Sequence, residues 1–285
     1  MAQRIWFITG CSTGFGRALA CQLLEHGETV VVTARRLEAI RDIVAGKEDR
    51  ALALTLDVTS SESIASALGA ARAQFGRIDV LVNNAGFGDM GTVEETPIEA
   101  ARAMMETNYF GALAMVRGVV TEMRTRGSGQ IVNIGSVAGQ IGFPALAYYS
   151  ASKFALAGMT EALAAELLPL GVYVTLAELG PFATDFTSTM TFNPPAAHYD
   201  MAALTRAAGN ANWGAGDRPD AGAAALLAAL DAPSPPVRII LGQPGLDVAD
   251  LHDTRRAQER ETWRSHSGLA AARAAVRARE HNAPS

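Results

Sequence analysis

Cysteine is scarce: the 285 residues hold two, Cys11 and Cys21. Two thiols make no disulfide framework, and such a chain suits a reducing compartment. Neither they nor the five histidines fall at metal-ligand spacing, so no metal is expected. Long apolar runs are missing too. Met1-Ala2-Gln3-Arg4 leads into only Ile5 to Ile8 before Thr9-Gly10, too short for a signal peptide or a membrane span. Positive charge is not in excess: 24 Lys and Arg face 29 Asp and Glu, and no basic stripe is there to track a nucleic-acid backbone. No internal repeat or shift in composition divides the chain. These absences leave the expectation of a cytoplasmic, metal-free protein with no nucleic-acid partner.

Apolar residues make up 49% of the chain, ample for a sizeable core in one α/β domain or two small ones. Short β-branched runs alternate with longer Ala- and Leu-rich periodic stretches, the βαβ pattern of a parallel sheet. Strands are expected at Ile5–Thr9, Thr29–Thr33, Ala51–Asp57, Val80–Asn83, Gln130–Gly135, Tyr173–Ala177 and Arg238–Leu241. Helices are expected near 15–26, 37–44, 61–75, 97–126, 149–168 and 219–231. The fold class is therefore α/β, a doubly wound parallel sheet of about seven strands in one domain over 1–245. Residues 185–218 break the pattern with Pro194-Pro195, several Gly and isolated aromatics, and a loop that long reads as a substrate lid. Residues 246–285 read as a helical extension whose tail, 268–285, is expected to fray.

Two patterns carry chemistry. Thr9-Gly10-Cys11-Ser12-Thr13-Gly14-Phe15-Gly16 lies between the first strand and the first helix. Glycines there let the backbone turn tightly against a pyrophosphate whose charge faces the helix N-terminus. Tyr149 and Lys153, four apart at the start of a helix, put a phenol and an ammonium on one face. A nearby positive charge lowers a phenol's pKa, so the pair is a candidate proton donor and acceptor. Tyr148 is the rival phenol, but its neighbour at i+4 is Ser152, which brings no charge.

The glycine spacing, Gly-x3-Gly-x-Gly, resembles that of the short-chain dehydrogenase/reductase family, and four further motifs line up in family order. Asn83-Asn84-Ala85-Gly86 follows the fourth strand. Asn108 lies in Thr107-Asn108-Tyr109-Phe110-Gly111. Ser136 closes a strand thirteen residues before Tyr149, and Gly180-Pro181-Phe182-Ala183-Thr184 looks like the segment that meets the nicotinamide. The chain departs from the family in two places. Leu179 stands where a Pro normally precedes the Gly, and a less rigid loop is expected before Gly180, with Pro181 partly replacing the constraint. Thr13 stands where many NADP-using members carry a basic residue.

The resemblance implies an oxidoreductase acting on CH–OH and C=O with a nicotinamide cofactor. It implies that Tyr149 is the acid or base, that Ser136 binds the reacting oxygen, and that Lys153 lowers the Tyr149 pKa and holds the nicotinamide ribose. Asn108 then holds a relay water. The cofactor set is Gly10, Ser12, Thr13, Gly14, Phe15, Gly16, Asn84, Ala85, Gly86, Gly180, Phe182 and Thr184, joined by Asp57 and Val58 at the adenine. Asp57 reads equally as a turn residue before Thr59-Ser60. The second strand runs into Thr33-Ala34-Arg35-Arg36 with no acid to repel a 2′-phosphate, so Arg35 and Arg36 point to NADP(H), with NAD(H) the other possibility. Substrate groups are expected from Ser136, Gln140, Phe143, Tyr149, Phe186 and Met190, with Phe87, Met201 and Trp213 nearby. Together they form an apolar pocket for a hydrophobic carbonyl or alcohol, while the loop Gly-Cys-Ser-Thr-Gly-Phe-Gly resembles the hydroxysteroid and retinol dehydrogenase branches of the family. Family members form dimers or tetramers, so a homo-oligomer is expected. Two other classes share part of this set: a non-catalytic dinucleotide-binding sensor, and an epimerase or dehydratase of nucleotide sugars.

Overall fold

The computed structural model describes residues 3–186, 189–193, 198–200, 203 and 216–267. Met201, Trp213, the remainder of 185–218 and the tail 268–285 lie outside the described residues. Seven strands form one parallel sheet: β1 (Ile5–Ile8), β2 (Thr29–Ala34), β3 (Ala51–Thr55), β4 (Val80–Asn83), β6 (Gly129–Ser136), β7 (Val172–Leu179) and β9 (Arg238–Leu241). Their order is β3-β2-β1-β4-β6-β7-β9. Two short strands, β5 (Asp89–Met90) and β8 (Thr191–Phe192), pair with each other apart from that sheet. The helices are α1 (Gly14–Glu25), α2 (Arg41–Val44), α3 (Ser61–Phe75), α4 (Ile98–Met105), α5 (Ala112–Arg126), α6 (Ala147–Leu167), α7 (Pro219–Leu230) and α8 (Gln243–Ser267).

Alternation along the strands sends side chains to two cores. Trp6, Ile8, Val30 and Val32 pack on one face with Leu19, Leu23 and Leu226. Phe7 and Val31 pack on the other with Ile64, Leu68, Met115 and Val119. Helices cover both faces, so β2 is buried along its whole length, which explains why it reads as a continuous apolar run. Strand order reverses between β1 and β4, and a crevice opens there at the carboxyl ends of the strands, the usual ligand position in such sheets.

The long helix expected over 97–126 is interrupted. Residues Glu106–Gly111 form a π-helical turn between α4 and α5. An inserted turn of this kind swings one residue out of helical register, and here it is Asn108 that turns inward and is buried. The helix expected over 37–44 is a 3₁₀ turn, Leu37–Ala39, followed by α2. The chain divides into a compact body, Met1–Leu246, and a second unit, Asp247–Ser285, described through Ser267 as helix. Among the described residues no helix is long and apolar enough to cross a membrane.

Candidate active site

One cleft of about 490 Å³ runs along the crevice, from Arg35 and Asp57 past the glycine loop to Ser136, Tyr149 and Met190. The glycine loop is held rigidly from behind. Asn84 Nδ2 donates to Thr9 O at 2.9 Å and Gly10 O at 2.8 Å. Thr9 Oγ1 accepts from the backbone N–H groups of Asn84 and Ala85, both at 2.9 Å. Gly10 has φ +73°, and a Cβ there would lie 2.8 Å from Ala85 Cα, so only glycine fits. A Cβ at Gly16 would collide with the Asn84 carboxamide. Asn84 thus fastens the loop, while Ser12, Thr13, Gly14, Phe15, Ala85 and Gly86 face the cleft.

Thr13 caps α1 without a side-chain hydrogen bond, and the first turn carries no acid. The free N–H groups and positive end of α1 therefore face the cleft, which is what a pyrophosphate needs. The residues present fit a dinucleotide. At the outer end Arg35 lines the cleft, is exposed, and makes no ion pair among the described residues. Arg36 does not line it, contrary to expectation: successive residues of an extended chain point opposite ways. Asp57 Oδ1 accepts from Thr59 N at 2.9 Å and Thr59 Oγ1 at 2.7 Å, making the turn before α3. Those two bonds lead in holding the carboxyl below its usual range, with a smaller contribution from Arg35. Asp57 also lines the cleft beside Val58, so the turn and adenine readings coexist.

At the inner end Ser136, at the last position of β6, faces Tyr149 and Lys153 on α6. All three are buried. Lys153 Nζ donates to Ile134 O at 2.9 Å and lies 5.9 Å from the Tyr149 ring centroid. Burial pushes the Tyr149 phenol up to about 12, opposed by a hydrogen bond from Ser136. Burial pushes the Lys153 amine down to about 8. The expected lowering of Tyr149 by Lys153 is therefore not found: desolvation dominates, and the group that opposes it is Ser136. Asn108 Nδ2 donates to Phe87 O and to Ser152 Oγ, both at 2.9 Å, and Oδ1 accepts from Phe87 N at 3.0 Å. It anchors the Gly86-Phe87 turn rather than touching Lys153. Tyr148 points elsewhere, its hydroxyl donating to Val93 O at 3.1 Å.

The remaining wall is apolar. The Phe186 ring lies 5.6 Å from that of Tyr149, and a Cβ at Gly88 would sit 3.0 Å from both Met190 Cε and Tyr149 Cδ2. Phe182 lines the cleft and packs edge-on against Phe15 at 5.8 Å, with Gly180 and Thr184 beside it. Leu179, in place of the usual Pro, does not leave the chain unsupported before Gly180. Leu179 is paired with Ser136 on one side and Leu241 on the other, so the sheet itself holds Gly180. Two expected substrate residues are elsewhere. Gln140 Nε2 donates to Glu178 Oε2 at 3.3 Å and Phe143 is buried; neither lines the cleft, because the 3₁₀ turn Val137–Gly139 carries the chain away from it. Leu146 and Thr189 do line it and were missed, since both sit in irregular segments without periodicity.

A glycine cradle, an ordered Ser, Tyr and Lys, and a doubly wound sheet define a nucleotide-dependent oxidoreductase. The family model for short chain dehydrogenases matches residues 4–193, and the chain belongs to that family. It is thus an NAD(P)-binding oxidoreductase of the class acting on CH–OH and C=O. An oxidoreductase of Botryotinia fuckeliana, BOA17, is 32% identical over 93% of this chain and 98% of its own length. A 3-ketodihydrosphingosine reductase of Bacteroides thetaiotaomicron is 40% identical over 66% of this chain and 67% of its own. The crystal structure of a short-chain dehydrogenase from Streptomyces avermitilis superposes with a TM-score of 0.85 at 38% identity, covering 93% of this chain and 98% of that one.

Proposed function

We propose that the protein is an NADP(H)-dependent oxidoreductase that interconverts an apolar ketone or aldehyde and its alcohol. One observation carries the reading: a single cleft joins Arg35, without an ion pair among the described residues, and a glycine cradle to Ser136, Tyr149 and Lys153 beneath an apolar wall. The bound nicotinamide supplies or accepts the hydride. Tyr149, with its pKa at about 12, keeps its proton at neutral pH and donates it to the forming alkoxide. Ser136 donates to the same oxygen and stabilises its charge. Lys153, at about 8, is mostly an ammonium at pH 7; a Cβ at Gly86 would lie 3.6 Å from its Nζ, a proximity that supports its role at the nicotinamide ribose. Asn108 holds the Gly86-Phe87 turn beside the cleft.

Phe87, Met90, Leu146, Phe186 and Met190 bring no charge to the substrate end, which favours an uncharged, extended apolar substrate. The Bacteroides thetaiotaomicron relative is a reductase of a 3-ketodihydrosphingosine, in keeping with that choice. The lid reading of 185–218 is supported by its described part: Phe186, Thr189 and Met190 reach the cleft, and β8 is bonded to β5. Exposed Phe110 and Phe154, on the expected association helices, fit a homo-oligomer, which sedimentation would measure.

The test is a screen of long-chain and polycyclic ketones and alcohols with NADPH and NADH, followed by variants. Tyr149→Phe is expected to lower kcat by about 10²–10⁴-fold while Tyr148→Phe stays near wild type. Arg35→Asp is expected to lower kcat/KM for NADPH by at least about tenfold and spare NADH. Equal use of both cofactors by the wild type would overturn the NADP(H) assignment. NADPH binding without turnover of any substrate would make the protein a sensor.

A further inference from the structure

Glu178 is an unusual place for a carboxylate. It is 1% exposed, inside a parallel sheet, and two residues before Gly180. Arg238 on β9 grips it with two bonds, Nη2 to Oε1 at 2.7 Å and Nε to Oε2 at 3.1 Å. The same guanidinium reaches Glu161 Oε1 on α6 at 2.5 Å. Gln140 Nε2 joins from the segment after Ser136, donating to Glu178 Oε2 at 3.3 Å. One buried carboxylate and one arginine therefore tie together β7, β9, the helix bearing Tyr149 and Lys153, and the turn that follows Ser136.

Stability alone is a poor reason for such a pair. A buried ion pair is often no better than apolar residues of the same volume, and what it adds is a defined geometry. The geometry here converges on the serine. Gly135, beside Ser136, is paired with Glu178 across the sheet, and a Cβ there would lie 3.3 Å from Glu178 Cγ. Ser136 Oγ accepts from Ala138 N at 3.2 Å, inside the turn whose far end is Gln140. A Cβ at Gly139 would lie 2.9 Å from Lys153 O, so the turn also rests on the backbone of α6 at Lys153. Pulling Gln140 toward Glu178 holds the turn closed against both.

We propose that Gln140 is a positioning residue: through its bond to the Glu178–Arg238 pair it fixes the turn that aims the Ser136 hydroxyl at the reacting oxygen. This rests on the reading of Ser136 and Tyr149 as the proton-handling pair. Gln140 does not line the cleft; it acts through the serine.

A double-mutant cycle tests it, on the full-length enzyme with the best carbonyl from the screen. Gln140→Leu removes the donor at similar size, and kcat is expected to fall about tenfold with KM for NADPH unchanged, as small misplacements of a catalytic group do. Gln140→Lys keeps a donor facing Glu178 and is expected to restore most of the loss. Ser136→Ala should lower kcat by about 10²-fold, and adding Gln140→Leu to it should lower kcat no further. Thermal unfolding and NADPH fluorescence titration on each variant report folding and the cofactor end without needing turnover. Losses that simply multiply in the double variant, or a Gln140→Leu enzyme with wild-type kcat, overturn the proposal while leaving Ser136 in its role. A Ser136→Ala enzyme with wild-type kcat overturns the reading of the site itself. For folding independence, Glu178→Leu/Arg238→Met replaces the pair with apolar volume: retained stability with kcat reduced as in Gln140→Leu supports the proposal, and retained stability with full kcat overturns it.

Discussion

The two ends of the cleft are built from different materials. The cofactor end is backbone. Gly10, Gly14 and Gly16 supply shape by having no side chain, and Asn84 and Thr9 bond carbonyl and amide groups to hold it. The substrate end is side chain. The Phe186 ring lies against Tyr149, Met190 flanks Gly88 next to it, and two residues of β8 pair with β5 to hold that stretch. A backbone site tolerates almost no substitution, because any Cβ changes the shape. An apolar wall accepts many side chains of similar volume. The first end therefore serves the cofactor shared across a family, and the second is free to follow a substrate.

Breaking the cofactor end should have the larger effect. Gly10→Ala adds a side chain at φ +73° that meets the Ala85 backbone, which is no flexible tip that can move aside. The expected result is a loss of about 2 kcal/mol or more of stability in urea melts and at least about a tenfold weaker NADPH affinity. Gly27 is the control. It too has positive φ, +82°, but none of the described residues lies within 4 Å of an added Cβ, so Gly27→Ala should cost about 1 kcal/mol and leave NADPH affinity unchanged. Equal effects at the two glycines would show that conformation alone, and not the close approach to Ala85, makes the cradle.

Tyr149 and Lys153 stand at the junction of the two ends, and pH separates them. Folding lowers the Lys153 pKa from 10.5 to about 8, so between those values the unfolded chain binds more protons and stability rises with pH. Tyr149 is raised from 10.0 to about 12, so its contribution acts only above pH 10, where stability falls as pH rises. Between pH 8 and 10 the lysine acts alone of the two. Wild type should gain on the order of 2 kcal/mol over that range relative to Lys153→Met, read from urea unfolding at each pH. A flat difference would mean that the ammonium is better solvated than its burial implies.

The same contrast explains what was legible in the sequence. The cradle and the Tyr149/Lys153 pair were readable because each is local: glycines in one loop, two side chains one turn apart on a helix. The sheet was readable because parallel strands buried on both faces leave short apolar runs. The departures all depend on partners far along the chain. Asn108 was found by its motif, but the π turn that buries it answers to Phe87 and Ser152. Gln140 was assigned to the pocket because it follows Ser136, yet its partner, Glu178, lies on another strand. Arg36 shared its neighbour's charge but points the other way. The Tyr149 pKa went against expectation because burial is a property of the assembled cleft, not of the four-residue spacing.

The smallest expected effect is at the substrate end, where it sharpens the contrast most. Met190→Ala removes a flexible thioether from the wall beside Tyr149 without touching the cradle or the proton path. Losing one or two buried methylene equivalents is worth about 1–1.5 kcal/mol. Binding made equally in ground and transition states appears in KM alone. The expected result is a three- to tenfold rise in KM for the best long-chain carbonyl, with kcat and NADPH affinity unchanged and Met190→Leu near wild type, on the order those magnitudes allow. A fall in kcat instead would mean that Met190 helps to set the phenol's environment. The substrate end would then share the cofactor end's intolerance of change.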